Sequence, residues 1–199
     1  ALGTQTQGST LRPAGYCGVF GFKPTHNALP MQGVHPISWT HDHLGVIAGG
    51  LDDLWTVASH IADIAGTPGN PGLQGACDQL PAARKPRQLK VMYTQAWDTE
   101  VDAQTRASFE ALLARLRAEH VEIVTRNDDR AYAALEDAFY GPFIERSVDI
   151  SAYEMRWPYQ QYLQKYPELL EQRQRDRLAR AAQITPEIYA ERLELILHA

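Results

Sequence analysis

Apolar positions recur at helical spacing between residues 51 and 65. They are Leu51, Leu54, Trp55, Ala58, Ile61, Ala62 and Ala65. Spacings of three and four place these side chains on one face of a helix. Asp52 and Asp53 favour the helix N-terminus, and Gly66 favours its end.

The middle of the chain has the pattern of a strand, a helix and a second strand. Short apolar runs predict strands at residues 89–94 and 121–125. Between them, residues 100–119 predict an amphipathic helix. Its apolar face comprises Phe109, Leu112, Leu113 and Leu116. Because this order is typical of a crossover between parallel strands, it favours an α/β fold over separate helical modules.

The first 40 residues lack a long periodic pattern. Residues 1–25 are rich in Gly, Thr, Ser and Gln and predict a loop that leads into buried segments. Within them, residues 18–22 predict a buried strand or a tightly packed turn, because they are apolar and flanked by glycine. The density of Pro, Gly and His in residues 27–39 predicts irregular structure.

The remaining segments are turn-rich or helical. The Gly and Pro residues of 67–76 predict a turn-rich connector. Beyond residue 130 the pattern is helical and polar, and the mixed charges of residues 171–180 predict a solvated helical face. Thr185 and Pro186 predict the N-cap and the first residue of a last helix.

Length and charge narrow the function classes. The chain has 199 residues and a net charge of -5, enough for one ordinary domain or a part of a larger protein. The acidic balance argues against nucleic acid or an anionic membrane surface as a partner. No apolar run reaches the roughly 20 residues of a membrane span, and the first residues lack the pattern of a signal peptide. We therefore expect a soluble cytoplasmic protein.

Cysteine and histidine positions do not predict a metal site or a disulfide framework. Cys17 and Cys77 are far apart and outside any C-x-x-C motif, so both are expected to be free thiols. Cys17 is expected to pack as a small buried hydrophobe. His41 and His43 would share a face only in a strand, and with His35 they have no Cys or Glu cluster to complete a metal site.

The opening stretch GTQTQGSTLRPAGYCG, residues 3–18, is close to a phosphate-binding loop. Such a loop needs a Lys after its second Gly to reach the outer phosphates, and Ser9 stands there instead. What remains is a group of backbone amides around a Ser hydroxyl. That arrangement suits acyl transfer better than nucleotide binding.

Residues 1–25, ALGTQTQGSTLRPAGYCGVFGFKPT, closely resemble the signature segment of the amidase signature family of serine hydrolases. The family pattern is Gly-Thr-Asp/Gln-Thr-Gly-Gly-Ser, then Pro-Ala, then Cys-Gly-x-x-Gly-Phe-Lys-Pro-Thr. The likeness continues more loosely through residues 38–66, and beyond residue 67 it is one of layout only. The resemblance begins at the nucleophile segment, which implies that this chain is an interior part of a longer protein.

This resemblance implies an α/β fold in which helices cover a mixed central sheet, incomplete in this chain. Residues 1–199 are then part of a single amidase domain. Residues 1–66 would supply the signature and nucleophile segment, 67–88 a connector, 89–126 the strand-helix-strand unit, and 130–199 a mainly helical part.

The resemblance also assigns roles to residues. It implies that Ser9 is the nucleophile and that the backbone amides of Thr6, Gln7 and Gly8 form the oxyanion hole. The family's Lys base and a second Ser on a cis peptide bond normally lie upstream of this segment, and Lys23 belongs to a different motif element. No metal or organic cofactor is implied. The 199 residues alone are therefore expected to be inactive, because a Ser hydroxyl is a weak nucleophile without its base.

Two departures from the pattern matter, Gln7 and the position of Arg12, and the second bears on the substrate. Gln7 stands where the family usually has Gly. If that position needs a positive φ, the Gln backbone would be strained. The Gln side chain could also narrow the acyl pocket or donate a hydrogen bond. Gln5 stands where fatty acid amide hydrolases and the A-type subunits of glutaminyl-tRNA amidotransferases have Asp. Arg12 lies one residue later than their Arg, as in malonamidase-like members, where this Arg holds a substrate carboxylate. A structural role for Arg12 is the alternative.

The expected function is hydrolysis of a small-molecule amide, with a carboxylate on the substrate if Arg12 binds it. One alternative is an amidotransferase A-type subunit that passes ammonia to a partner, against which Gln5 and Arg12 argue mildly. The other is a non-catalytic relative in which Gln7 closes the oxyanion hole and the fold serves binding.

Overall fold

The described residues form a mixed α/β structure of small sheets and helices. The computed structural model describes residues 1–65, 82–91 and 101–197, with the single residues 73 and 80. The strands are β1 (Leu2–Gln5), β2 (Phe20–Phe22), β3 (His43–Ala48), β4 (Gln88–Lys90) and β5 (Glu122–Val124). The α-helices are α1 (Leu11–Tyr16), α2 (Leu51–Ala65), α3 (Ala103–Ala118), α4 (Arg130–Ala138), α5 (Ile144–Lys165), α6 (Gln172–Ala181) and α7 (Pro186–Leu197).

The described residues belong to two compact units. One comprises Ala1–Ala82 with Val148–Ala199, and the other is Ala83–Ser147. The division into segments of one amidase domain stays a prediction. The turn-rich connector at 67–76 lies outside the described residues except for Leu73, and so do Gly66, Cys77 and the end of the strand predicted at 89–94.

The first unit contains a three-stranded antiparallel sheet with β3 in the centre. β1 pairs with β3 along its whole length, so that Gln5 lies opposite His43, and β2 pairs with the other edge. Helix α2 packs on this sheet through Leu54 and Ala58, which are buried against Val46 of β3. Removing these apolar side chains from water stabilises the helix on the sheet.

The prediction of a loop over residues 1–25 was wrong in part. This segment contains strand β1 and the short helix α1. A strand of sequence LGTQ has little apolar alternation, so its pairing with the buried strand β3 decides its conformation. Phe20 of β2 is exposed rather than buried. Cys17, which was expected to be buried, is exposed at the end of α1.

Other predicted elements of the first unit are confirmed. Helix α2 has the predicted bounds, residues 27–39 contain no helix or strand, and α7 begins at Pro186. Thr185 caps α7, because its Oγ1 accepts the amide of Ile188 at 3.3 Å. Helix α5 is kinked at Trp157, which has φ -110° and ψ 124° and precedes Pro158.

A second apolar cluster joins three helices of this unit. Ala152 of α5 and Ala181 of α6 are buried with Ile184, and Tyr189 of α7 packs against them. Two of the three core residues are alanines. This cluster joins the C-terminal end of α6 to α5.

The second unit contains the predicted strand-helix-strand arrangement. β4 and β5 pair in parallel, and α3 connects them in sequence and packs on β5. Asp102 caps α3, because its Oδ1 accepts the amide of Thr105 at 2.9 Å. Of the predicted apolar face, Leu113 is buried, whereas Phe109 and Leu112 are exposed.

Gly45 and Gly3 are paired across β3 and β1 and provide a matched test of packing. A Cβ at Gly45 would lie 2.8 Å from Thr10 Cγ2 and 2.9 Å from the carbonyl oxygen of Phe22, whereas a Cβ at Gly3 would meet nothing within 4 Å. We expect Gly45→Ala to lower the free energy of unfolding by about 1–3 kcal/mol. Gly3→Ala should change it by less than about 0.5 kcal/mol. Urea denaturation of the intact protein measures both, and equal losses would contradict this packing.

Candidate active site

The predicted nucleophile lies on the short loop between β1 and α1. Gly8 has φ +82°, a conformation that favours glycine, and its carbonyl oxygen accepts the amide of Arg12 at 2.9 Å. Ser9 follows it and is exposed. Among the described residues, the positive-φ positions other than glycine are Asn27 and His120. The strain considered for Gln7 therefore does not arise, because the left-handed position is its neighbour.

Gln5 supports the loop from its buried side. Its Oε1 atom accepts the amides of Thr10 at 3.0 Å and of Leu11 at 3.1 Å. These are amides at the start of α1, which have no partner within the helix. The Gln5 side chain therefore holds the turn that carries Ser9. A residue with a side-chain oxygen at position 5 thus has a structural role, apart from any role in choosing the substrate.

Asp42 anchors the other end of the loop. Its Oδ1 accepts the hydroxyl of Thr6 at 2.6 Å, and its Oδ2 accepts the amides of Ile37 at 2.7 Å and Ser38 at 2.9 Å. Asp42 is buried, and a buried carboxylate is stable only when such donors surround it. The same side chain therefore links the Thr6 turn to the irregular segment that precedes β3.

A second buried carboxylate extends this network to the helices. Glu154 of α5 accepts the hydroxyl of Ser38 at 2.5 Å, the amide of Thr40 at 3.2 Å and the hydroxyl of Tyr189 at 2.6 Å. Burial and the bond to Glu154 raise the pKa of Tyr189. Burial lowers the pKa of His41, whose Nδ1 lies 3.0 Å from Ser38 Oγ. Both groups are therefore neutral near pH 7 and act as hydrogen-bonding groups in the frame of the site.

A cavity of about 210 Å³ lies beside Ser9. Its lining residues are Thr6, Gln7, Ser9, Arg12, Ile37, Met155, Tyr159, Glu171, Arg173, Gln174 and Arg177. All of them belong to the first compact unit. Met155 and Tyr159 lie on either side of the kink in α5, so the bent part of that helix contributes to the wall. The volume suits a small molecule or one end of a larger ligand.

The cavity brings together most of the residues that the sequence singled out. Ser9, Thr6, Gln7 and Arg12 all line it, and Gly8 lies between them on the same loop. The roles of Ser9 as nucleophile, of the three amides as oxyanion hole and of Arg12 as carboxylate ligand stay predictions. Lys23 is absent from the lining; its Nζ donates to the carbonyl oxygen of Pro24 at 2.8 Å.

Sequence reasoning missed two sets of residues. The first is the pair of buried carboxylates: Asp42, which lies in the looser family likeness of residues 38–66, and Glu154, which carries no local motif. The second is the face of α6 that lines the cavity, which was predicted to be solvated. Arg173 and Arg177 are four residues apart and therefore share a helical face, and this spacing was the available signal.

The described part of the chain contains neither a metal-binding cluster nor a membrane-spanning helix. It holds no group of three His, Cys, Asp or Glu side chains arranged to bind a metal ion. His43 instead bonds the carbonyl oxygen of His41 at 2.6 Å. No helix among the described residues is both long and apolar enough to cross a membrane.

Known proteins share both the sequence pattern and the fold of this chain. A family model described as Amidase matches residues 1–189. The chain belongs to the amidase family. The mitochondrial A-type subunit of the glutamyl-tRNA(Gln) amidotransferase of Aedes aegypti is 45% identical over 62 residues, covering 31% of this chain and 13% of that protein. The corresponding protein of Methanothermobacter thermautotrophicus is 30% identical over 124 residues, covering 62% of this chain and 27% of that protein.

Solved structures share the fold of this amidase-family chain. A crystal structure of an amidase superimposes with a TM-score of 0.74 at 21% identity, covering 97% of this chain and 39% of that one. A 6-aminohexanoate cyclic dimer hydrolase does so with a TM-score of 0.66 at 18% identity, covering 98% and 41%. The chain therefore spans less than half the length of each of these relatives and structures.

Thr6→Val tests whether Asp42 holds the loop. Valine keeps the shape of threonine but removes the hydroxyl that bonds Asp42. We expect faster hydrogen exchange at the amides of residues 6–9 and a loss of about 1–3 kcal/mol in the free energy of unfolding, because the buried carboxylate loses a donor. Hydrogen-exchange mass spectrometry and urea denaturation measure the two effects. Thr6→Ser, which keeps the hydroxyl, is the control, and unchanged exchange in Thr6→Val would contradict the anchoring role.

Proposed function

We propose that the intact protein hydrolyses a carboxamide through an acyl intermediate on Ser9. The observation that carries this proposal is an exposed serine on a glycine-containing turn, beside a small cavity, in a chain of the amidase family. Attack of Ser9 Oγ on the amide carbon forms a tetrahedral intermediate. Its collapse breaks the C–N bond, releases ammonia or an amine after proton transfer to nitrogen, and leaves an ester that water hydrolyses.

The backbone of the Ser9 loop is proposed to stabilise the oxyanion of that intermediate. The amides of Thr6, Gln7 and Gly8 lie on the turn just before Ser9, and the turn is held by Gln5 from one side and by Asp42 through Thr6. Donors held in place before the reaction need no reorganisation when the charge develops, which is the source of their effect on rate.

The proton of Ser9 must go to a base. Lys23 is absent from the cavity lining. We therefore propose that the lysine base and the second serine come from a preceding segment of the full polypeptide, as the family resemblance implies. No metal ion or organic cofactor takes part in this proposed reaction.

Replacement of Ser9 by alanine tests the reaction. We expect Ser9→Ala in the intact protein to lower ammonia release from a panel of small carboxamides by at least about 10³-fold, because the covalent route is lost. Ser108→Ala, which removes an exposed hydroxyl from helix α3, should not change the rate of ammonia release. Mass spectrometry of quenched reactions should find the acyl group on Ser9. Unchanged turnover by Ser9→Ala would disprove the assignment.

A second candidate is an amidotransferase component that passes ammonia to a partner. The names of the relatives from Aedes aegypti and Methanothermobacter thermautotrophicus favour it. The two candidates differ in what accompanies the protein in its source. A stoichiometric partner protein that remains bound through native purification favours the amidotransferase, whereas turnover by the separately purified protein, with water as the acceptor, favours the hydrolase.

The third hypothesis, a non-catalytic relative closed by Gln7, is tested by Gln7→Gly. Because Gln7 does not occupy a positive-φ conformation, glycine relieves no backbone strain there and adds conformational freedom to the loop. We expect Gln7→Gly to have equal or lower kcat for amide hydrolysis than the parent protein. A rise of about ten-fold or more would show that the glutamine side chain obstructs the site. Gly3→Ala is the control, because it changes the backbone freedom of the neighbouring strand β1 without a steric contact and should leave kcat unchanged.

A further inference from the structure

Helix α6 presents two arginines to the cavity beside Ser9. Arg173 and Arg177 both line it, as does Arg12 from the start of α1. Other arginines of α6 have protein partners: Arg175 Nε donates to the carbonyl oxygen of Leu170 at 3.1 Å, and Arg180 pairs with Asp149 at 2.6 Å. The arginines at the cavity therefore differ from their neighbours on the same helix.

Within the described residues, no carboxylate lies within ion-pairing distance of Arg173 or Arg177. Glu171 lines the same cavity at the start of α6, where its carbonyl oxygen accepts the amide of Gln174 at 3.1 Å and its own amide donates to the Gln174 side chain at 2.7 Å. Its carboxylate forms no ion pair with Arg173 or Arg177. Among the described residues, the positive charge that these two arginines bring to the cavity has no ion-paired counter-charge.

The environment of Arg177 makes an anion favourable there. Arg177 is half-buried, and burial together with the neighbouring charge of Arg173 lowers its pKa. Arg173 is exposed, but its charge still acts on the half-buried Arg177, and an anion bound beside the two guanidinium groups would reduce that repulsion. Guanidinium groups also match the planar geometry of a carboxylate, to which they donate parallel hydrogen bonds.

We propose that Arg173 and Arg177 of α6 bind a carboxylate of the amide substrate in the cavity beside Ser9. This assignment rests on the proposed function for the identity of the ligand. It goes beyond the role implied for Arg12, because it assigns carboxylate binding to residues of α6 on another side of the cavity. It also predicts that the protein discriminates between charged and neutral amides. The cavity of about 210 Å³ favours a short acyl chain between the reacting amide and this carboxylate.

The test compares monoamides of short dicarboxylic acids with their neutral diamides. Malonamate, succinamate and glutaramate vary the distance between amide and carboxylate, and each diamide keeps nearly the same shape without the charge. We expect the intact protein to prefer one monoamide in kcat/KM. Arg177→Ala and the double variant Arg173→Ala/Arg177→Ala should lower kcat/KM at least about ten-fold more for that monoamide than for its diamide, mainly through KM.

Two further variants separate charge from structure. Arg177→Lys keeps the charge but loses the planar guanidinium group. Its preference for the monoamide over the diamide should therefore fall between those of the parent protein and Arg177→Ala. Arg115→Ala removes an equal charge from helix α3 outside the cavity and should leave the preference unchanged. A monoamide preference that survives in the double variant, or a parent protein without any preference, would overturn the proposal.

Binding without turnover distinguishes this proposal from the proposed function. If no amide gives Ser9-dependent turnover, the hydrolase proposal fails, and titration calorimetry with malonate, succinate and glutarate decides the anion site. Binding that is lost in the double variant but kept in Arg115→Ala supports the site. No binding to the parent protein, or sulfate binding as strong as that of the dicarboxylates, overturns the carboxylate assignment.

Discussion

Asp42 lies buried between two segments that have no regular structure and bonds to both. It accepts the Thr6 hydroxyl at 2.6 Å on one oxygen and the amides of Ile37 and Ser38 on the other. A carboxylate that is almost wholly removed from water is stabilised by each of these donors. The turn that carries Ser9 and the segment that leads into β3 are therefore constrained together, and the remainder of the site is built on this constraint.

Two other contacts make the constraint rigid. The pairing of β1 with β3 delivers Gln5 to the loop, where its side chain accepts the amides of Thr10 and Leu11. Glu154 bonds Ser38 and Tyr189, which connects the same frame to α5 and α7. Each buried polar group is supported by another, and such networks give a more defined geometry than separate bonds. An exposed serine can therefore occupy a fixed position although it lies on a loop.

The fold and the chemistry of the site come from different levels of similarity. The amidase and the cyclic dimer hydrolase share the fold at identities of 21% and 18%. A shared fold does not determine which substrate a protein binds. The loop around Ser9 belongs to the segment with the family pattern. Arg173 and Arg177 instead lie on α6, far along the chain, and meet that loop only because α6 packs beside α5 through Ala152 and Ala181.

Local pattern was sufficient to determine helix α2, the parallel β4–α3–β5 unit and the cap of α7, because each depends on periodicity or on neighbouring residues. It also singled out the Ser9 loop, since that motif is contiguous. Strand β1, the partners of Asp42 and Glu154, and the cavity face of α6 were decided only by tertiary structure. Their contacts join residues that are distant in the sequence, and the burial that gives a carboxylate or an arginine its role exists only after the chain has folded.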